Sequence, residues 1–281
     1  MAGTLYLCAT PIGNLKDMSP RVIETLQEVD LIAAEDTRNS IKLLNHFDIH
    51  TPMTSYHEYN KVEKAYVLVE KMKQGQNIAL ITDAGTPAIS DPGEVLVKIC
   101  HEEGITVTSL PGPAALIVAL TLSGLATRRF CFEGFLPTDK KQRKMILEDL
   151  TTESRTIIMY EAPHHLKGTL KDLMDALGDR KITLCRELTK KFETILPTTI
   201  AQALQMYETE DPRGEYVLVM EGKSLQEQLE EKQAQNRELS IEEHMERFTS
   251  QGIDRKEAMK LVAKERGVSK RDIYQYLLDN E

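Results

Sequence analysis

The sequence predicts an α/β protein: two α/β domains followed by a small C-terminal helical domain. Three features carry that expectation. Short apolar, β-rich runs alternate with helical patterns over most of the 281 residues, which is the pattern of α/β units built on largely parallel sheet. A chain of this length corresponds to about two domains at ~150 residues each. After Gly222 the composition turns abruptly to Gln and Glu with few apolar anchors, as in a solvated helix.

The elements follow in order. Residues 4–9 read as an apolar strand; Ser19 and Pro20 open a helix as N-cap and first helical residue, with Val22, Ile23, Leu26 and Val29 on one face. Residues 31–34 form a second strand, 39–47 a helix, Met53 a short strand, and 60–74 a long helix closed by Gly75,. A strand over 77–82, an eleven-residue loop over 83–93, a helix to Glu103, a strand over 106–110 and an apolar helix over 114–122 complete the first domain, residues 1–124. The second, 125–222, is predicted to hold strands at 130–135, 156–160, 182–186 and 216–220, with helices at 140–150, 164–177 and 198–209. Residues 223–239 read as a linker helix. Residues 240–281 read as a helix-turn-helix-like domain, its last two helices broken at Gly267,.

Composition excludes several classes. Hydrophobic content of 41% and charged content of 28% are globular values,. No run approaches about 18 apolar residues, so no membrane span is expected. The opening Met1–Leu5 lacks a basic region followed by an apolar one, so secretion is not expected, and cysteines read as reduced packing residues point to a cytoplasmic protein,. Cys8, Cys100, Cys131 and Cys185 are scattered singly, against a disulfide framework and against a zinc site. His164 and His165 are adjacent and expected to point apart, and no metal site is predicted,. The net charge of -9 by itself predicts no affinity for nucleic acid,.

In a parallel α/β sheet, ligands sit outside the carboxyl ends of the strands, which directs attention to four loops. Thr10–Leu15 holds Pro11, Gly13 and Asn14 in a tight bend, but neither G-x-G-x-x-G nor the Walker pattern is present,. That disfavours a nicotinamide oxidoreductase and an ordinary nucleotide hydrolase. Ala34–Arg38 places Glu35, Asp36 and Arg38 at a strand end; Asp36 as helix cap with Glu35 paired to Arg38 is the competing reading,. Ser55–Asn60 is dense in hydrogen-bonding side chains around His57, either a base or a histidine bonded to backbone,. The loop from Asp83 to Gly93 is longer than a connection requires,. Its aspartate at the strand tip suits a ribose hydroxyl or an ammonium, and Ala84 and Gly85 allow close approach to the backbone.

Taken together, TPIGNL, AEDTR, SYHEYN, ITDAGTPAISDPG, LPGPAA, FEGFLP, YEAPHHL, CRELTKKFE and RGEYVLVMEG resemble the tetrapyrrole methylase superfamily over about residues 4–222, and within it the branch acting on ribosomal RNA of the small subunit. The resemblance implies S-adenosylmethionine as cofactor in a cleft between two α/β domains, and 2′-O-methylation of a cytidine in the decoding region of 16S rRNA. It also implies a homodimer. By the same resemblance Pro11, Gly13 and Asn14 line the cleft, although the glycine-rich stretch of the corrin-modifying relatives is absent there. Asp83, Gly85, Thr86 and Pro87 match the cofactor loop. Pro111, Ala114 and Ala115 match the segment approaching adenosine and methionine. Tyr160, Glu161 and Ala162 match the second domain's strand end, and Tyr216 and Val217 match the last strand. Glu35, Asp36 and His57 are the candidate bases, with Arg38 holding a phosphate bidentately.

RNA affinity requires local positive charge whatever the total. Arg128, Arg129, Lys140, Lys141, Arg143 and Lys144 form one candidate track, and Lys190–Lys191 beside Arg186 a smaller one. In the tail, seven residues from Arg255 to Arg271 are basic, with Lys270 and Arg271 in a helix's first turn. There cations oppose the dipole and favour an anionic partner. The 16S rRNA within the small ribosomal subunit is the expected partner, and no membrane is. Two other readings stay open: methylation of a tetrapyrrole or other small acceptor, and a non-catalytic ribosome-assembly factor.

Overall fold

The structure, a computed structural model, describes residues 2–280. It divides into two compact units: one runs to Glu148 and resumes over Arg155–Glu221, the other takes Asp149–Ser154 and Gly222 onward.

The first unit contains two five-stranded sheets. In the first, β1 (Thr4–Cys8), β2 (Leu31–Ala34), β3 (Met53–Ser55), β4 (Ile78–Ile81) and β5 (Thr106–Leu110) lie in the order β3-β2-β4-β1-β5, with every neighbouring pair parallel. The inner strands β2 and β4 are continuously apolar because both faces are covered,. Leu5, Leu7, Ile78 and Leu80 pack on Leu68 and Met72 of α3 (Lys61–Lys73) and on Leu96 and Ile99 of α4 (Gly93–Glu102). The alternate residues Cys8, Ile32, Ala79 and Ile81 meet Val22 and Leu26 of α1 (Pro20–Glu28) and Leu44 of α2 (Thr37–His46). Each fully buried Leu or Ile contributes about 1.5–3 kcal/mol.

The second sheet corrects one expectation. Its strands are β6 (Phe130–Phe135), β7 (Thr156–Glu161), β8 (Lys181–Arg186), β9 (Thr194–Thr199) and β10 (Tyr216–Met220), in the order β6-β7-β10-β8-β9. Only β6 and β7 run parallel; β10 is antiparallel to β7 and β8, and β8 to β9. The short connection between β8 and β9 leaves no room for a crossover, so the two pair antiparallel. Strand β9 was not anticipated because TILPTT is polar and carries Pro197. As an edge strand with Pro197 exposed, it tolerates the missing donor,.

Helix α5 (Ala115–Leu122) packs Leu116, Ala119 and Leu120 against Ile158, Val217 and Val219 of the second sheet. By packing it therefore belongs with the second sheet, although the sequence predicts it in the domain 1–124. Helices α6 (Lys140–Leu150), α7 (Pro163–Leu177) and α8 (Ile200–Thr209) connect the remaining strands.

The second unit is built from α9 (Leu225–Glu238), α10 (Ile241–Thr249), α11 (Arg255–Arg266) and α12 (Lys270–Asp279) around Met245, Ala258, Val262, Ala263 and Ile273. Reciprocal caps start three of these helices: Ser224 with Glu227, Ser240 with Glu243, and Ser269 with Asp272,. Gly267 ends α11 in the left-handed region,. The segment expected as a linker is docked: Asn236 Nδ2 donates to the Glu265 carbonyl at 3.1 Å and Arg237 Nε to that of Arg266 at 2.8 Å. Among the described residues no helix is long and apolar enough to cross a membrane.

Candidate functional site

The loops leaving β1, β4 and β5 are clipped to one another at the carboxyl rim of the first sheet. Thr10 and Gly85 exchange backbone hydrogen bonds at 2.9 and 3.1 Å, and the Thr10 hydroxyl donates to the Thr82 carbonyl at 3.1 Å. The Thr86 hydroxyl donates to the Pro113 carbonyl at 2.9 Å, tying the β4 loop to the β5 loop. Asp91 braces the β4 loop from inside, accepting from the amides of Ala88, Ile89 and Gly93. That bracing holds Ala88 and Ser90 at φ 67° and 66°, a conformation costing non-glycine residues about 1–2 kcal/mol each. Such stored strain clusters at ligand sites.

These loops and the rim of the second sheet enclose a cavity of about 590 Å³. Ten of the predicted cofactor residues line it: Asp83, Gly85, Thr86, Ala114, Ala115, Tyr160, Glu161, Ala162, Tyr216 and Val217. Glu35 lines it as well. Because β10 runs antiparallel to its neighbours, its first residues rather than its last reach this rim. Pro11, Gly13, Asn14, Pro87 and Pro111 are not among the lining residues. Gly13 serves packing: at φ 150° it passes beneath Lys190, and a Cβ there would stand 2.4 Å from the Lys190 Cγ. Asn14 caps the short turn that follows, accepting from the Lys16 amide at 3.1 Å.

Several wall residues were not expected there from the sequence: Thr82, Phe135, Leu188 and Lys190, the last expected only as an RNA contact. Leu188, Lys190 and Glu215 come from loops distant in sequence, and only the sheet brings them together. Lys190, read from sequence as a phosphate contact, instead bonds Glu187 at 2.9 Å and Glu215 at 2.8 Å. Burial pulls its pKa down, but the two carboxylates outweigh that and leave it raised. Cys185 also faces the cavity. Burial and nearby Glu193 push its thiol to about 12, which makes it an inert wall atom.

The cavity is acidic on the side of the first sheet. Glu35 Oε2 accepts from the Thr82 hydroxyl at 2.6 Å and from the Asp83 amide at 3.4 Å. Asp83 Oδ1 accepts from the Asp36 amide at 3.2 Å and Oδ2 from Asn39 at 3.3 Å. Burial and then the Glu35 charge raise the Asp83 pKa against those two bonds. On the opposite side Glu161, 5% exposed, accepts from the Ala162 amide and from the Thr169 hydroxyl.

The other candidate catalytic residues sit elsewhere. Asp36 caps α2 through the Arg38 amide at 2.8 Å, and both its oxygens are engaged by the Arg38 guanidinium. Arg38 thereby holds the carboxyl at about 2, which removes Asp36 as a base near neutral pH. Arg38 is spent on that cap. His57 is not a cavity residue; its amide donates to Asn60 Oδ1 at 2.8 Å and its Nδ1 is buried without a partner. Its neighbour Tyr56 donates to the Pro92 carbonyl at 3.0 Å, supporting the β4 loop from behind.

Of the expected RNA track, Arg128, Arg129, Lys140, Lys141 and Lys144 are exposed. Arg143 is turned inward, its Nε on Asp172 at 2.6 Å and an Nη on Thr169 at 2.8 Å. His164 and His165 do not point apart: their rings lie 4.1 Å from centre to centre. Among the described residues no group of His, Cys, Asp and Glu is placed to hold a metal.

One parallel and one mixed sheet thus share a single cavity at their loop ends. The chain belongs to the family of tetrapyrrole (corrin/porphyrin) methylases, whose model matches residues 4–204. It is 49% identical over 272 residues to a protein of Halalkalibacterium halodurans named ribosomal RNA small subunit methyltransferase I, covering 97% of this chain and 93% of that one. It is 48% identical over 280 residues to the protein of that name from Synechocystis, covering 99% of each. Among solved structures, diphthine synthase aligns with a TM-score of 0.61 at 13% identity, over 79% of this chain and 91% of that one. Uroporphyrin-III-C-methyltransferase from Thermus thermophilus aligns at 0.55 and 14%, over 77% and 94%. At those identities the two structures establish the fold.

Proposed function

We propose that this chain methylates the 2′-hydroxyl of a cytidine in the decoding region of 16S rRNA, with S-adenosylmethionine as donor. The observation that carries the reading is the 590 Å³ cavity, whose lining combines carboxylates with apolar residues. The donor is a cation with a flat base and a charged amino-acid end, and the lining supplies a counterpart for each. Asp83 and Glu35 suit positive charge. Ala114, Ala115, Leu188 and Val217 offer a smooth surface for a ring, and Gly85, at φ 87°, lets a ligand lie against the backbone,. The names carried by the relatives in two bacteria support RNA of the small ribosomal subunit as acceptor.

When bound, S-adenosylmethionine supplies an activated methyl group on a sulfonium. The protein's part is chiefly positioning, for which well-oriented reactions gain roughly 7–11 kcal/mol. The clipped loops at Thr10, Gly85, Thr86 and Asp91 provide the rigidity. Glu35 is the group that takes the hydroxyl proton: of the three candidate bases it alone lines the cavity. The enzyme works in the cytoplasm, as a homodimer, on rRNA within the small subunit. Mapping 2′-O-methylation on small-subunit rRNA with and without the protein tests the reaction, and calorimetric titration with S-adenosylmethionine tests the donor. Unmodified rRNA in the presence of a donor-loaded protein would overturn the reading.

A further inference from the structure

Helices α11 and α12 bury one side in the core of the second unit, through Ala258, Val262 and Ile273. Their other side is open and forms a groove of about 830 Å³. Arg255, Lys256, Lys270 and Arg271 line it, and among the described residues no acidic one does. Met259, Leu277 and Leu278 also line it, together with Tyr274, 53% exposed.

This arrangement differs from a merely solvated face in three respects. The chain as a whole carries a net charge of -9, yet Lys256, Lys270 and Arg271 gather in one groove, with Asp272 beside Arg271. Outside the groove, Lys260 pairs with Glu257 at 2.7 Å, and buried Arg266 donates to the Leu239 carbonyl at 3.0 Å. Lys270 and Arg271 also occupy the first turn of α12, where the helix dipole adds positive potential. An aromatic ring among cations and apolar side chains is the chemistry that takes a single nucleic-acid strand, with bases stacking and phosphates held electrostatically.

We propose that the groove between α11 and α12 is a second RNA site, apart from the cavity of the two sheets. It takes a single-stranded segment with a base on Tyr274 and phosphates on Lys256, Lys270 and Arg271. The inference rests on RNA being the substrate and assigns the helical unit its capture.

The test uses the full chain and fluorescence anisotropy with a labelled single-stranded RNA of about ten nucleotides. Tyr274→Ala is expected to weaken binding about tenfold or more, with Tyr274→Phe close to the parent because the stacking face is kept. The double variant Lys270→Gln, Arg271→Gln is expected to reduce the slope of log affinity against log salt by roughly 1.4, two phosphates at about 0.7 each. Melting temperature and S-adenosylmethionine affinity should stay unchanged in all three. Parent affinity and parent salt slope in both Tyr274→Ala and the double variant would overturn the proposal. So would poly-glutamate binding that is lost in Tyr274→Ala while RNA binding is not. Methylation of small-subunit rRNA is followed in parallel: if the parent binds RNA through the groove yet methylates none, the substrate reading fails and the groove stands.

Discussion

The Thr82 hydroxyl donates to Glu35 Oε2 at 2.6 Å across the tips of two adjacent parallel strands, β4 and β2. The bond fixes the one candidate base that lines the cavity, and it draws on a threonine that is itself buried. Glu35→Gln keeps the shape and loses the proton acceptor. Single-turnover methylation is expected to fall about 10²- to 10⁴-fold with S-adenosylmethionine affinity within a few-fold of the parent. Thr82→Val, which releases the carboxylate from its hydroxyl, should fall less. Parent rates in Glu35→Gln would leave positioning alone as the source of catalysis.

On the proposed reading, Asp83 gives donor binding a pH dependence. Its carboxyl is raised from its ordinary value by burial and by Glu35, whereas a cation favours the ionised form. Donor binding therefore releases a proton wherever Asp83 is partly protonated. Affinity should decline as pH falls through its raised pKa, while above that pKa the dependence vanishes. Calorimetry over the mildly acidic range checks the sign, and Asp83→Asn should flatten the profile as well as weaken binding.

Gly85 lies at φ 87°, with a would-be Cβ 3.3 Å from Ile12 and 3.5 Å from the Pro113 carbonyl. The space admits a methyl group with slight adjustment, but the backbone conformation resists it. Gly85→Ala should cost about 1–2 kcal/mol, visible as a drop in melting temperature of a few degrees. It should also weaken donor binding, because Gly85 exchanges backbone bonds with Thr10.

How far the sequence discloses the molecule depends on where each signal resides. The first sheet was readable strand by strand because runs such as Ile78–Ile81 are apolar throughout and bounded by turn residues. Asp83, Gly85 and Thr86 were readable because one continuous loop carries them. Lys190 was not: its two carboxylates, Glu187 and Glu215, lie on separate loops, and a basic dipeptide in sequence looks the same whether neutralised or free. Arg143 shows the same limit, since its partners Asp172 and Thr169 come from the next helix. The antiparallel sense of β10 depends on pairing that periodicity does not encode.

Asp36 and Arg38 make a stability prediction of defined sign. The carboxyl is held at about 2, first by the side-chain bond from Arg38 and then by its amide. A depressed acid contributes stability that is present above its unfolded pKa of about 4 and is lost as pH falls toward 2. Arg38 is 88% exposed, so screening keeps the contribution small. In Arg38→Met the acid limb of the stability profile should shift toward higher pH, with little change near neutrality. An NMR titration of Asp36 would show its midpoint moving upward.

The network from Arg143 through Thr169 to Glu161 supports the cavity from behind. Arg143 donates to Thr169, and Thr169 donates to Glu161, whose other oxygen accepts from the Ala162 amide. Glu161 and Ala162 line the cavity at the corner between β7 and α7, and Glu161 is 5% exposed. Thr169→Val removes the hydroxyl and keeps the volume, leaving a buried carboxylate oxygen without its donor. That loss costs about 1–3 kcal/mol or more, because charge in a poorly hydrated site has no water to replace the bond. Thr169→Ser keeps the hydroxyl and should restore most of the stability. If the network also sets the corner's geometry, Thr169→Val will weaken S-adenosylmethionine binding at temperatures well below its melting point, with Thr169→Ser recovering it. A loss of stability with parent affinity would confine the network to folding.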